Sequence, residues 1–220
     1  MTDALNTGKG LCPGTARLLV QPVQAVIELG ASGDVRAKLL NAVHHANRHG
    51  PADDFIAMAL PSMRMGRNCA LPGHDIELIG SEASLAALIH LDGVQSLIRR
   101  GMLQELQVDE VEVTPGEIGA AYVRDRSCEK HTVGWLRRNK ARAERRGKAW
   151  SESSTQVKRN DLSALALPYG SAVLHIRQIL AKMTDASLVV STYGFSSPGP
   201  GHQAVLPVYP DAAREAENAA

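Results

Sequence analysis

Aromatic side chains are scarce in this chain: Phe, Trp and Tyr together supply 4% of its 220 residues. That scarcity excludes a stacking platform of the kind single-strand binders build from rows of Phe and Tyr, so any recognition of nucleic acid has to lean on arginine and on structured partners. Cysteine is scarce as well. Cys12, Cys69 and Cys128 are odd in number, far apart and free of any Cys-x-x-Cys pair, which argues against a disulfide framework or a zinc site and predicts reduced thiols in the cytoplasm. No run of 18 apolar residues occurs, and the opening MTDALNTGKG has no apolar stretch of a signal peptide; neither a membrane partner nor secretion is expected. The hydrophobic share of 44% suffices for an ordinary core in one large or two small domains.

Charge is the feature that is present and unevenly placed. The stretch 124–148, RDRSCEKHTVGWLRRNKARAERRGK, holds ten Lys and Arg against three acids, a local +7 in a chain whose net charge is +1. A field focused in this way calls for a polyanion or an acidic partner. Over about 131–148 the spacing predicts a helix, with Val133, Leu136, Ala143 and Trp150 on one narrow face and Arg138, Arg142 and Arg145 on another. An arginine stripe suits the phosphates of a nucleic-acid groove; a merely solvated amphipathic helix is the plainer alternative.

Along the chain, residues 1–15 read as a flexible extension and the fold begins at Ala16. A strand ends near Pro22, Ser32 caps a helix from about Asp34 to His49 whose buried face is Leu39, Leu40 and Val43, and strands follow at Phe55–Leu60 and His74–Ile79. A second helix is expected from Ser81 to about Arg100 with Leu85, Leu88 and Ile89 inward, then a long strand from Leu103 to Val113. The order β-α-β-β-α-β predicts an α+β protein with a ferredoxin-like (RRM-like) domain over 16–115. Residues 116–210 form a smaller α/β half carrying the basic helix, a polar connection SESSTQVKRNDLS, strands at Ala172–Leu180 and Ser187–Tyr193, and a short last strand at Ala204–Val208; 211–220 is a frayed tail.

These pieces in this order (LPSMR, DIELIGSEASLAALI, a strand ending in Tyr122, Arg124 and Arg126, then LRRNKARAERRG, LPYGS, STYGFSS and Leu-Pro-Val-Tyr) resemble one family. It is the CRISPR repeat-processing endoribonuclease of type I-F systems, with type IV relatives close by, and the likeness runs from about Ala16 to Pro210. The resemblance implies an enzyme that binds the hairpin of CRISPR repeat RNA, cuts at the 3′ base of the stem through the substrate's own 2′-hydroxyl, and stays on the product with the other subunits of a type I-F-like or type IV-like guide-RNA complex. No cofactor and no metal are implied. A non-catalytic hairpin-binding subunit is the rival; a DNA-binding module is more distant, since no second short helix stands at turn distance from the basic one.

Such chemistry needs a base for the 2′-hydroxyl. The family's base follows a buried aliphatic residue on the first helix; the register of Leu39, Leu40 and Val43 selects His44, whereas counting back from Pro61 selects His45. A metal reading of His45 and His49 with Asp53 and Asp54 lacks the intervening Glu and a third ligand at fixed spacing. The resemblance carries over Tyr193, before Gly194-Phe195-Ser196, as an orienting phenol and Ser171 as a restraint on the 2′-hydroxyl. It puts RNA contacts at Arg124, Arg126, Glu129, Arg137, Arg138, Arg142, Arg145 and Arg146. Glu129 stands where the family has a base-reading glutamine, and Glu accepts from a cytosine amino group but donates to nothing, so a different terminal base pair is implied.

Overall fold

The structure, a computed structural model, describes residues 5–6, 8–65, 70–125, 133–150, 164–170, 172–196 and 203–207. It is a mixed α+β protein with antiparallel sheets. The first half contains β1 (Lys9–Cys12), β2 (Ala16–Val20), α1 (Gln24–Glu28), α2 (Ser32–His49), β3 (Ala57–Ala59), β4 (Arg64–Met65), β5 (Ala70–Leu71), β6 (Ile76–Gly80), α3 (Glu82–Ile89), α4 (Asp92–Arg99) and β7 (Val108–Glu110). Four of these strands form a sheet in the order β3-β6-β2-β7 with every neighbour antiparallel. Directly paired residues share a face of such a sheet, so Met58, Leu78 and Leu18 lie on one side and Ala59, Glu77 and Leu19 on the other.

Helix α2 is the long organising element. Val35, Leu39, Val43 and Asn47 recur every four residues and are all buried, with Leu40 and Ala42 beside them, which is the stripe a helix needs to pack on a core. Ser32 was expected to cap it, yet the helix begins at Ser32 itself after Ala31, and the Ser32 hydroxyl stands 3.0 Å from His74 Nδ1. At the other end the Asn6 amide donates to the carbonyls of Asn47 and Gly50, and Asn6 N to that of Arg48. These bonds satisfy acceptors that a helix C-terminus leaves open.

Three expectations are corrected. The helix predicted over Ser81–Arg100 is two: α3, with a Ser81–Ser84 capping box, ends before His90, and α4 restarts at Asp92-Gly93, two weak helix formers. The strand predicted from Leu103 to Val113 shortens to β7 plus an isolated bridge between Leu103 and Pro22, because β7 is an edge strand that meets β2 only at Ala16, Arg17 and Leu18. Lys9–Cys12, expected to have no structure, pairs as β1 with a strand of the second half.

The second half consists of β8 (Ile118–Arg124), α5 (Val133–Arg145), β9 (Leu165–Tyr169), β10 (Ala172–Lys182), β11 (Leu188–Ser191) and β12 (Leu206–Pro207). Its sheet runs β12-β8-β10-β9, and β11 instead joins β1. Strand β9, unforeseen, holds Pro168 on the sheet edge, where a missing N–H costs no ladder bond. The halves share one core: Ala120, Tyr122, Leu165, Leu174, Ile176 and Phe195 are buried in the same cluster as Leu39, Val43 and Leu78. Ala121, Val123, Met183 and Val205 form a smaller cluster. The tail 211–220 lies outside the described residues. No helix among those described is long and apolar enough to cross a membrane.

Candidate functional site

Where α2 meets the turn after β11, four side chains converge: His44, Tyr193, Tyr169 and Arg124. The turn is pinned from both sides. Gly194 N donates to Ser191 O at 2.8 Å, Met58 N donates to Gly194 O at 2.9 Å, and the fully buried Phe195 anchors the chain as it leaves the turn. Gly194 has φ +78°, and a Cβ there would stand 3.0 Å from Ile56 O and Met58 N and 3.1 Å from Val43 Cγ1; only glycine lets the turn approach β3 and α2 this closely. Asn47 locks the same junction, giving Nδ2 to Ile56 O at 2.9 Å and to Thr192 O at 3.3 Å while its Oδ1 accepts from Ile56 N at 2.7 Å.

One turn before Asn47, the half-buried His44 sets Nδ1 3.3 Å from Thr192 O. A carbonyl only accepts, so Nδ1 carries the hydrogen and Nε2 is left with its lone pair. Burial pushes the imidazole below its ordinary 6.5, the charges of Arg48, His45 and His49 push the same way, and the Thr192 bond opposes them. His44 is therefore a neutral, oriented imidazole at neutral pH. Tyr193 lies flat on it, with ring centroids 4.2 Å apart and planes 10° from parallel. Tyr169 from β9 stands edge-on to both rings, at 5.6 Å from His44 and 5.1 Å from Tyr193. Burial and the neighbouring Tyr193 raise the Tyr169 phenol. Arg124, at the end of β8, holds its guanidinium carbon 5.5 Å from the centre of the Tyr193 ring, a cation–π contact.

No protein-family model matches the chain, and no curated protein matches it.

Of the two histidines, His44 faces the aromatic group. His45 is exposed, its ring 4.3 Å from that of His49, beside a groove lined by Lys38, Asn41, Leu91 and Asp92. Among the described residues no three His, Cys, Asp or Glu gather closely enough to hold a metal ion. Tyr193 and Arg124 stand at the site. Arg137, Arg138, Arg142, Arg145 and Arg146 are exposed on α5 and the turn after it, with Arg145 Nε bonded to its own helix at Ala141 O. Ser171, Arg126 and Glu129 lie outside the described residues.

Sequence reasoning missed Thr192, Asn47, Tyr169 and Arg48. Asn47 and Arg48 carried a signal, since positions three and four beyond His44 return to the same helix face. Tyr169 lies within the LPYGS piece, two residues before Ser171. The buried Ser196 was also passed over: its hydroxyl donates to Ala204 O at 3.2 Å and accepts from Ala204 N at 3.0 Å. It thereby ties Ser196 to Ala204 next to β8, whose Arg124 N donates to Ser196 O.

Proposed function

We propose that this protein is a metal-independent endoribonuclease that binds the hairpin of a CRISPR repeat RNA in the cytoplasm, cuts it at the 3′ base of the stem, and remains bound as a subunit of a type I-F-like or type IV-like guide-RNA complex. Its first half is then a ferredoxin-like domain. The strand order supports this, because it places the first and third strands of a β-α-β-β-α-β series in the centre of an antiparallel sheet. The observation that carries the activity is His44: its Nδ1–H is turned to Thr192 O, which leaves Nε2 as the free base.

Nε2 takes the proton of the 2′-hydroxyl, O2′ bonds to phosphorus, the P–O5′ bond breaks, and O5′ leaves with a proton from solvent, to which His44 then returns its own. Tyr193 and Tyr169 hold the imidazole plane, so that the attack stays in line without rearrangement at the moment of reaction. The exposed arginines of α5 supply the groove contacts.

A hairpin repeat RNA incubated with the protein in EDTA is expected to give one cut, with a 2′,3′-cyclic phosphate on one product and a 5′-hydroxyl on the other. A 2′-deoxy substitution at the scissile nucleotide is expected to abolish it. RNA that is bound tightly but stays whole would replace this function with that of a non-catalytic subunit, and equal competition by duplex DNA would overturn both.

A further inference from the structure

The face of α2 that carries His44 continues one turn further to Arg48. Residues four apart on a helix stand about 5–6 Å apart at Cβ, and the Arg48 charge acts both on His44 and on the Tyr169 phenol. Arg48 is half-buried, and its backbone is fixed, since its carbonyl accepts from Asn6 N at 2.9 Å. Among the described residues its guanidinium has neither a hydrogen bond nor an ion pair. Among the described residues, the groups around His44 include no carboxylate: they are His45, Arg48 and His49 on its own helix, Tyr169 from β9, Tyr193 from the turn, and Arg124 beyond Tyr193. An arginine with no ion pair of its own, on the same helix face as His44, is placed to take an incoming anion.

We propose that Arg48 is a catalytic residue, its guanidinium taking the non-bridging oxygens of the scissile phosphate beside His44, an inference that rests on the nuclease function above. While O2′–P forms and P–O5′ breaks, negative charge grows on those oxygens, and the planar guanidinium meets two of them at once. The same charge disfavours protonation of His44, so one residue serves both the phosphate and the base.

Single-turnover cleavage at saturating protein tests this assignment. Arg48→Ala is expected to lower the cleavage rate constant roughly 100-fold while leaving hairpin affinity within about threefold. It should also move the acid limb of the pH–rate profile to higher pH, because a charge that holds His44 down is gone. Arg48→Lys keeps the charge without the fork, so it should restore the position of that limb and only part of the rate. A rate for Arg48→Ala within about threefold of wild type, or affinity lost in step with rate, overturns the role. His44→Ala in the same series keeps two failures apart. If it abolishes cleavage and Arg48→Ala does not, the nuclease stands and the role of Arg48 falls; if the wild type leaves the RNA whole, both fall.

Discussion

His44 and His45 are neighbours in sequence with different surroundings in the fold. The difference was legible, because the buried register of Leu39, Leu40 and Val43 turns His44 toward the core side of α2. Its partner was not, since Thr192 lies 148 residues away and offers a backbone carbonyl that no side-chain pattern marks. Glu77 was hidden in another way. It sits in an alternating strand, where polar positions are expected to face water, yet it is fully buried, and neither carboxyl oxygen accepts a hydrogen bond. Burial pushes this carboxyl up from 4.5 to about 7, with Arg17 at 3.9 Å opposing only in part. The folded value lies above the unfolded one, so the resulting stabilisation is complete below the unfolded value and is lost as pH rises through the folded one. It amounts to about 3 kcal/mol. Glu77→Gln should remove that dependence. Between about pH 5 and about pH 8 its Tm should fall less than that of the wild type; an equal fall in both proteins would place the titration elsewhere.

Among the elements, α2 and α5 were readable because each repeats one kind of residue at helical spacing over several turns. Leu136 and Ala143 are half-buried, whereas Arg137, Arg138, Arg142 and Arg145 are exposed, as a one-sided stripe requires; Trp150, expected on the apolar face of the same helix, lies beyond the helix end at Arg145. The short pieces were not readable. Strand β1 has four residues and exists because β11 offers it a partner, and β9 exists because β10 is long enough to pair with β8 at one end and with β9 at the other. Pairing of this kind is a tertiary event, and residues such as Lys9-Gly10 or Leu167-Pro168 carry no local preference for it. The exposure of α5 bears directly on binding. If its arginines contact phosphates, Arg138→Ala and Arg142→Ala should each weaken hairpin binding and reduce the slope of log K against log salt by roughly 0.7–0.9. Unchanged slopes in both variants would mean that α5 does not touch the RNA backbone.

For the molecule as a whole, the division into two halves describes sequence order better than it describes packing. The buried cluster runs from Leu18 and Leu39 through Phe195 to Leu174, and β1 and Asn6 bind the start of the fold to β11 and to the end of α2. The α+β class could be read from the alternation of apolar patterns. The site could be read only in part, since it is assembled across that shared core from α2, β8, β9 and the turn after β11. The central claim is that this assembly makes His44 the base of an RNA cleavage. Single-turnover cleavage of the repeat hairpin in EDTA by wild type, His44→Ala and His45→Ala tests it most directly. His44→Ala should lose roughly 10²–10⁴ in rate constant with the RNA still bound, and His45→Ala should cut as the wild type does. Cleavage that survives in His44→Ala, or that disappears in His45→Ala, would contradict the account.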